Sequence, residues 1–143
     1  MEKASGKVKI RVSTVQDGAN GKDSYKNNYE GSLFFKNDTW FLFYDEKDED
    51  GNKQAECTVR ANYGKVEIVR HGAYSSKLIY EVNKPYKTMY KTPYGELEIV
   101  IKAHKVTVAL GGNEGKIILD YEMMLSGEKY NNIVAIEIEN NND

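Results

Sequence analysis

Apolar and polar residues alternate along most of this chain. In "VKIRVSTVQ", Val8, Ile10 and Val12 alternate with Lys7, Lys9 and Arg11. "KIILDYEMML" gathers Ile117, Leu119, Tyr121, Met123 and Leu125 on one side, and "IVAIEIEN" sets Val134, Ile136 and Ile138 against Ala135, Glu137 and Glu139. "GELEIVIKAHKVTVAL" carries Leu97, Ile99 and Ile101, then Val106, Val108 and Leu110. A period of two gives each strand one apolar face and one polar face, as in an antiparallel sheet wet on one side. No window holds a 3.6 period beyond two turns. The best helical candidate, "EKYNNIVAIE", is disfavoured by its β-branched alternation.

Turn residues recur at strand-length spacing: "KND" at 36–38, "DEDGNK" at 48–53, "NYG" at 62–64, then "HG", "NKP", "TPYG", "GGNEG" and "SGEKYNN". Gly, Asn and Asp supply positive φ there and Pro a fixed φ. The pattern predicts about ten strands in hairpin order. Their apolar faces need burial in a sandwich or a closed barrel, and the absence of a long crossover favours the barrel. The expected fold is therefore all-β: an antiparallel up-and-down barrel of about 8–10 strands with little helix. "QDGANGKDS", 16–24, reads as the longest loop, and the terminal "ENNND" as frayed.

A length of 143 residues suits a single domain spanning 1–143 that can bury a core without staples. A net charge of −2 gives no general pull toward nucleic acid or an anionic membrane, and no apolar run is long enough to span a bilayer. The start "MEKASGKVKIRV" has no apolar signal core. Cys57, the single cysteine, excludes an internal disulfide and a multi-cysteine metal site, and fits a cytoplasmic location. Tyrosine is over-used, at 11 residues, as suits twisted sheet.

Candidate chemistry is sparse. "RHG" at 70–72 resembles the triplet around a phosphatase histidine, but "AYSSKLIYEV" after it alternates like a strand, and the other histidine, His104, lies in a strand. His71 therefore reads as a residue before a turn. Arg70 shares the inward parity of Val66 and Ile68, so it needs a partner: either a structural contact or the anionic group of a ligand. "DEKDEDGN" fails as a calcium loop. Counted from Glu46, Gly51 is sixth but Cys57 is twelfth, so the stretch reads as a solvated hairpin tip. Glu96 and Glu98 share a polar strand face, and no nucleophilic triad has a readable spacing. Nothing points to an enzyme, a metal or a cofactor. Between 77 and 94, Lys77, Lys84, Lys87 and Lys91 interleave with Tyr80, Tyr86, Tyr90 and Tyr94, a pattern that could stack single-stranded RNA but more often packs tyrosines with lysines at the rim.

The block "GKVEIVRHGAYSSKLIYEVNKPYKTMYKTPYGELEIVIKAHKV" resembles the central part of the YwiB-like proteins, small uncharacterised bacterial proteins. The shared order is a strand ending in Arg70 with Gly72 two residues on, an apolar-aromatic strand, a turn with Tyr90, Thr92, Pro93 and Gly95, and a "LEI" strand. "WFLFYDE", "LDYEMML" and "NNIVAIEI" also fall where that family has strands. The resemblance spans 8–139. It implies a calycin-like barrel, related in shape to lipocalins and fatty-acid-binding proteins, with no established activity. A threonine that tends to follow the "LEI" strand in that family has no counterpart here, where Ala103 stands nearby.

Barrels of this strand number hold one small ligand or fill with side chains. The expected role is small-ligand binding in the barrel or at its mouth, lined by Arg70, Tyr80, Tyr90, Thr92, Trp40 and Tyr121, which combine apolar bodies with polar tips. The alternatives are a filled barrel acting as an interaction or homodimerisation module, suggested by apolar residues of both parities in "WFLFY" and "IVAIEIE", and a weak single-stranded RNA binder through 77–94.

Overall fold

A computed structural model describes residues 5–141; the N-terminal Met1–Ala4 and the last two residues of "ENNND" lie outside them. Ten strands follow one another with no helix among the described residues: β1 (Ser5–Gly18), β2 (Gly21–Lys36), β3 (Thr39–Lys47), β4 (Lys53–Asn62), β5 (Lys65–Gly72), β6 (Ser76–Glu81), β7 (Tyr86–Thr92), β8 (Gly95–Gly111), β9 (Glu114–Leu125) and β10 (Glu128–Asn140). They form one sheet in the order β6-β5-β4-β3-β2-β1-β10-β9-β8-β7, with every ladder antiparallel. The expected all-β up-and-down barrel is borne out at the upper end of its strand number.

The sheet rolls until its ends meet. Ser75 and Lys91 exchange backbone hydrogen bonds of 2.9 and 2.8 Å, and Val82 forms a parallel bridge with Ala103. These two bridges, one to β7 and one to β8, bring the β6 end of the sheet against its other end and nearly close the barrel. Inside, the alternating positions make a continuous core, with Val8, Ile10, Leu33, Leu42, Val59, Val66, Ile101, Ile117, Leu119 and Ile136 almost fully buried.

In β8 the inward set changes parity. Ile99, Ile101 and Ala103 pair with Leu125, Met123 and Tyr121, but Val106 and Val108 pair with Leu119 and Ile117. The register slips between Ala103 and Lys105, so His104 is an extra residue in a β-bulge. Without it, the second half of β8 would turn its apolar side chains to solvent.

The stretch 16–24 is not a loop. Asp17 pairs with Lys22 and Gly18 with Gly21, leaving a two-residue turn at Ala19 and Asn20. The hairpin arm runs past the barrel, so most of its side chains are exposed on both faces and the apolar alternation disappears. The C-terminal stretch is likewise ordered where described: Glu139 and Asn140 pair with Lys9 and Val8, and the Asn141 N–H donates to the Lys7 carbonyl at 3.0 Å.

The barrel wall has one fork. β2 pairs with β3 only from Gly31/Tyr44 to Lys36/Thr39. Beyond Gly31, β2 stays with β1 while β3 leaves with β4. A Cβ on Gly31 would lie 2.1 Å from the Phe43 carbonyl oxygen and 3.0 Å from Tyr44 Cβ, so only glycine lets the two strands meet this closely where they part.

Candidate functional site

The chemistry-bearing side chains of the interior gather at the end of the barrel that carries the β3–β4 and β5–β6 turns. In β3, the inward series Trp40, Leu42 and Tyr44 continues to Glu46. In β5, Val66 and Ile68 continue to Arg70. β4 lies between them, with Cys57 opposite both Tyr44 and Arg70. Arg70 Nε donates to both carboxylate oxygens of Glu46, at 3.1 and 3.3 Å. The two side chains are 26% and 23% exposed, so the pair sits at a mouth rather than in the dry core. Both bonds leave from Nε; the terminal amino groups of Arg70 make none among the described residues.

Phenols surround this pair. Tyr29 and Tyr44 stack at 4.9 Å across the start of the fork, Tyr80 meets Tyr121 edge-on at 4.8 Å, and Tyr74 lies 6.2 Å from Tyr90. Burial pushes the hydroxyls of Tyr44 and Tyr80 well above the ordinary phenol value, and those of Tyr29 and Tyr90 above it, against the opposing pull of Arg70. Burial also pushes the Cys57 thiol up to about 12. For Arg70, burial works against the charge, but the Glu46 carboxylate outweighs it and raises the guanidinium above its ordinary value. At neutral pH the cluster therefore holds one ion pair and otherwise neutral, hydrogen-bonding groups.

Three buried polar atoms lack a partner among the described residues: Asn113 Oδ1, in the β8–β9 turn at the other end of the barrel, and two on the strands of the barrel. Ser76, directly opposite Arg70 and 8% exposed, has a hydroxyl with no partner among the described residues. The same holds for Oδ1 of Asn132, 2% exposed and opposite Tyr121. Buried polar atoms normally find a partner, so each marks a place for a bound molecule or a water.

Of the six residues expected to line a site, the structure brings together Arg70, Tyr80, Tyr90 and, through Tyr80, Tyr121. Trp40 is apart. It packs on Phe35 at 4.7 Å beside the β2–β3 turn. Tyr80 starts from the same level of the barrel, across Ala61 and Val66, and joins the cluster through its phenol, which feels the Arg70 charge and meets Tyr121. Thr92 is committed to its own turn: its hydroxyl donates to the Gly95 carbonyl at 2.9 Å and accepts the Tyr94 N–H at 3.1 Å. Sequence reasoning missed Glu46, Tyr29, Tyr44 and Ser76. For Glu46 the signal was present, because an acid on the inward parity of β3 is what an inward Arg70 requires.

The other candidates separate. His71 is exposed and leads into β6 with no helix after it. The tip at Asp48 is held by the carboxylate itself, which accepts the N–H groups of Asp50 and Asn52 at 3.0 and 2.9 Å. No cluster that could hold a metal occurs among the described residues. Between 77 and 94, Tyr80 is buried and Tyr86 and Tyr90 are half-buried, while the lysines point outward against carboxylates: Lys77 on Glu67, Lys84 on Glu81, Lys87 on Glu98 and Lys91 on Glu96. Three of the four tyrosines thus lie toward the inside and the lysines outside, while Tyr94, in the β7–β8 turn, is 93% exposed.

Outside the wall, the fork opens into a cleft of about 940 Å³. Its walls are the outer faces of β1 and β10, the free side of β2 and the β3–β4 tip.

The crystal structure of the ywiB protein from Bacillus subtilis matches with a TM-score of 0.80, covering 93% of this chain and 92% of that one at 22% identity. At that identity the likeness speaks for the fold. Among curated proteins, none matches. The family described as DUF1934, a domain of unknown function, matches residues 10–137, and with its barrel in the expected strand order the chain belongs to that family.

Proposed function

We propose that the barrel binds a small ligand at the mouth beside Arg70, reversibly and without chemistry, as a sensing or sequestering protein. The observation that carries this reading is the guanidinium of Arg70, whose Nε is spent on Glu46 while its terminal amino groups have no bond among the described residues. A guanidinium end of that kind matches a planar carboxylate with two parallel hydrogen bonds. The partnerless Ser76 hydroxyl lies across from it, and tyrosine rings supply apolar walls with polar tips. The calycin-like shape suits one small ligand.

Titration calorimetry with phenylacetate and phenylacetamide tests this. Binding of the acid to the wild type, its loss in Arg70→Lys and no binding of the amide is the expected result. Equal behaviour of acid and amide, or of the two proteins, overturns it. Native mass spectrometry of protein taken directly from cells would show a carried ligand.

A second reading, an interaction or homodimerisation module, is favoured by the outer face of β2 and β3. Phe34 and Phe43 are 42% and 41% exposed and meet edge-on at 5.9 Å, with Phe41 beside Phe43. An exposed aromatic patch of this kind marks contact surfaces. Light scattering of the wild type and of Phe34→Ser/Phe43→Ser discriminates: a monomer at high concentration in both removes self-association.

A further inference from the structure

We propose that the fork between β2 and β3 is a docking site for one extended peptide segment carrying lysine or arginine, which adds to β2 as a strand. The site is separate from the mouth at Arg70 and does not depend on it.

The first ground is the unpaired edge. β2 is paired with β1 from Gly21 onward, but with β3 only from Gly31. The stretch 21–30 therefore has one free side. Two-residue turns fix which residues face it. In such hairpins the residues flanking the turn exchange both backbone bonds, and hydrogen-bonded pairs then alternate. Counting from Gly18/Gly21 gives odd-numbered residues of β2 bonded to β1; counting from Lys36/Thr39 gives even-numbered residues bonded to β3. The two counts agree. Lys22, Ser24, Lys26, Asn28 and Glu30 thus turn their N–H and C=O groups toward the fork, where no other backbone group of the described residues bonds them. The stretch contains no proline and its register with β1 is unbroken, so two of the usual guards of an edge are missing; a third, lysine, stands at Lys22 and Lys26, and the part that lines the cleft, 27–30, is free of it.

The second ground is the space. One strand residue in a packed sheet fills about 4.8 by 10 by 3.3 Å, so the cleft of about 940 Å³ takes roughly six residues. The β3–β4 arm forms its far wall. A second copy of this barrel would bring β1 and the rest of its sheet along with its own β2, and that bulk meets the arm. A single extended segment does not.

The third ground is charge. Six carboxylates line the cleft, among them Glu30, Asp45, Glu137 and Glu139, against three cations, Lys9, Arg11 and Lys47. The excess selects a basic segment over an acidic one or a nucleic acid.

The test is fluorescence anisotropy of the full chain with three labelled probes: a short peptide of alternating lysine and valine, its glutamate counterpart, and the lysine peptide with alternate backbone nitrogens methylated. The lysine peptide is expected to bind, and each of the other two at least about tenfold more weakly. Asn28→Pro, which removes an outward N–H inside the cleft while sparing the ladder to β1, is expected to weaken the lysine peptide by a similar factor, and Asn28→Ser to leave it unchanged. If Asn28→Pro disturbs the fold, seen by circular dichroism, the methylated peptide on the wild type decides. Binding that ignores backbone methylation, or that is equal for the glutamate peptide, overturns the proposal. So does a peptide-free dimer that Asn28→Pro dissociates, because the edge would then belong to a second copy.

Discussion

Arg70 and Glu46 are joined across a strand to which neither belongs. One comes from β5 and the other from β3, and their side chains meet over β4 at 3.1 Å, beside Cys57. The pair ties together three strands that the backbone already holds, so it adds little that the ladders lack. Its larger effect is to keep two charges satisfied inside the barrel.

Removing one partner should therefore cost more than removing both. Arg70→Ala is expected to destabilise by roughly 2–4 kcal/mol, because the Glu46 carboxylate is left without its cation. Arg70→Met combined with Glu46→Leu is expected to lie within about 1 kcal/mol of the wild type or above it. Urea denaturation of the three proteins checks this. A double variant less stable than Arg70→Ala would show that the ion pair itself holds the mouth together.

Gly31→Ala is expected to be among the most damaging small changes in the molecule. The new methyl lands against a backbone carbonyl that cannot turn aside, so a loss of roughly 2–3 kcal/mol is expected. Gly111→Ala is the control: nothing lies within 4 Å of the added carbon, and the effect should stay within about 0.5 kcal/mol. Thermal melts of both variants suffice.

His104 matters by its presence and not by its imidazole. His104→Ala should be silent to within about 0.5 kcal/mol, since the side chain is exposed. Deleting the residue removes the bulge and turns Val106, Val108 and Leu110 outward, so the deletion should lose cooperative unfolding. His71→Ala should be as silent as His104→Ala. A deletion variant that melts like the wild type would refute the role of the bulge.

Stability should fall in alkali, and Cys57 should begin the fall. In the unfolded chain a thiol ionises near its ordinary value of 9.0; in the folded barrel it keeps its proton up to about 12. Between those limits the unfolded state binds fewer protons, so unfolding is favoured as pH rises. Tyr44 and Tyr80, also raised, steepen the loss above 10.0. Melting temperature measured from pH 8 to 11 should decline from about pH 9, and Cys57→Ala should delay the onset. An unchanged onset in Cys57→Ala would place the cause elsewhere.

Alternation was enough to read the barrel, because most strands have one dry face and one wet one. It failed for 16–24, where the arm leaves the barrel and both faces are wet. The parity change between Ile101 and Val106 was visible in the order of residues, but only the partner strand shows that His104 is the surplus residue. At the candidate site, Arg70 was legible because it continues an apolar series. Glu46 continues one in the same way, yet the acidic tip after it drew the reading toward a solvated turn. Trp40 and Thr92 were chosen by residue type, but Trp40 is taken up by Phe35 and Thr92 by its own turn. Ser76 carried no signal, since a serine is unremarkable until its hydroxyl is found buried and alone.

The closure of the sheet has a consequence for the order of events during synthesis. The two ends of the sheet fall in mid-chain, at β6 and β7, while the two ends of the chain, β1 and β10, lie side by side at the sheet's centre, with Val8 opposite Asn140. Two meanders, β1 to β6 and β7 to β10, can each form hairpin by hairpin as they emerge. Neither has a complete core until β10 docks against β1. Until then β1 waits with one edge bare, and loss of β10 would open the barrel along its midline instead of fraying it at its rim.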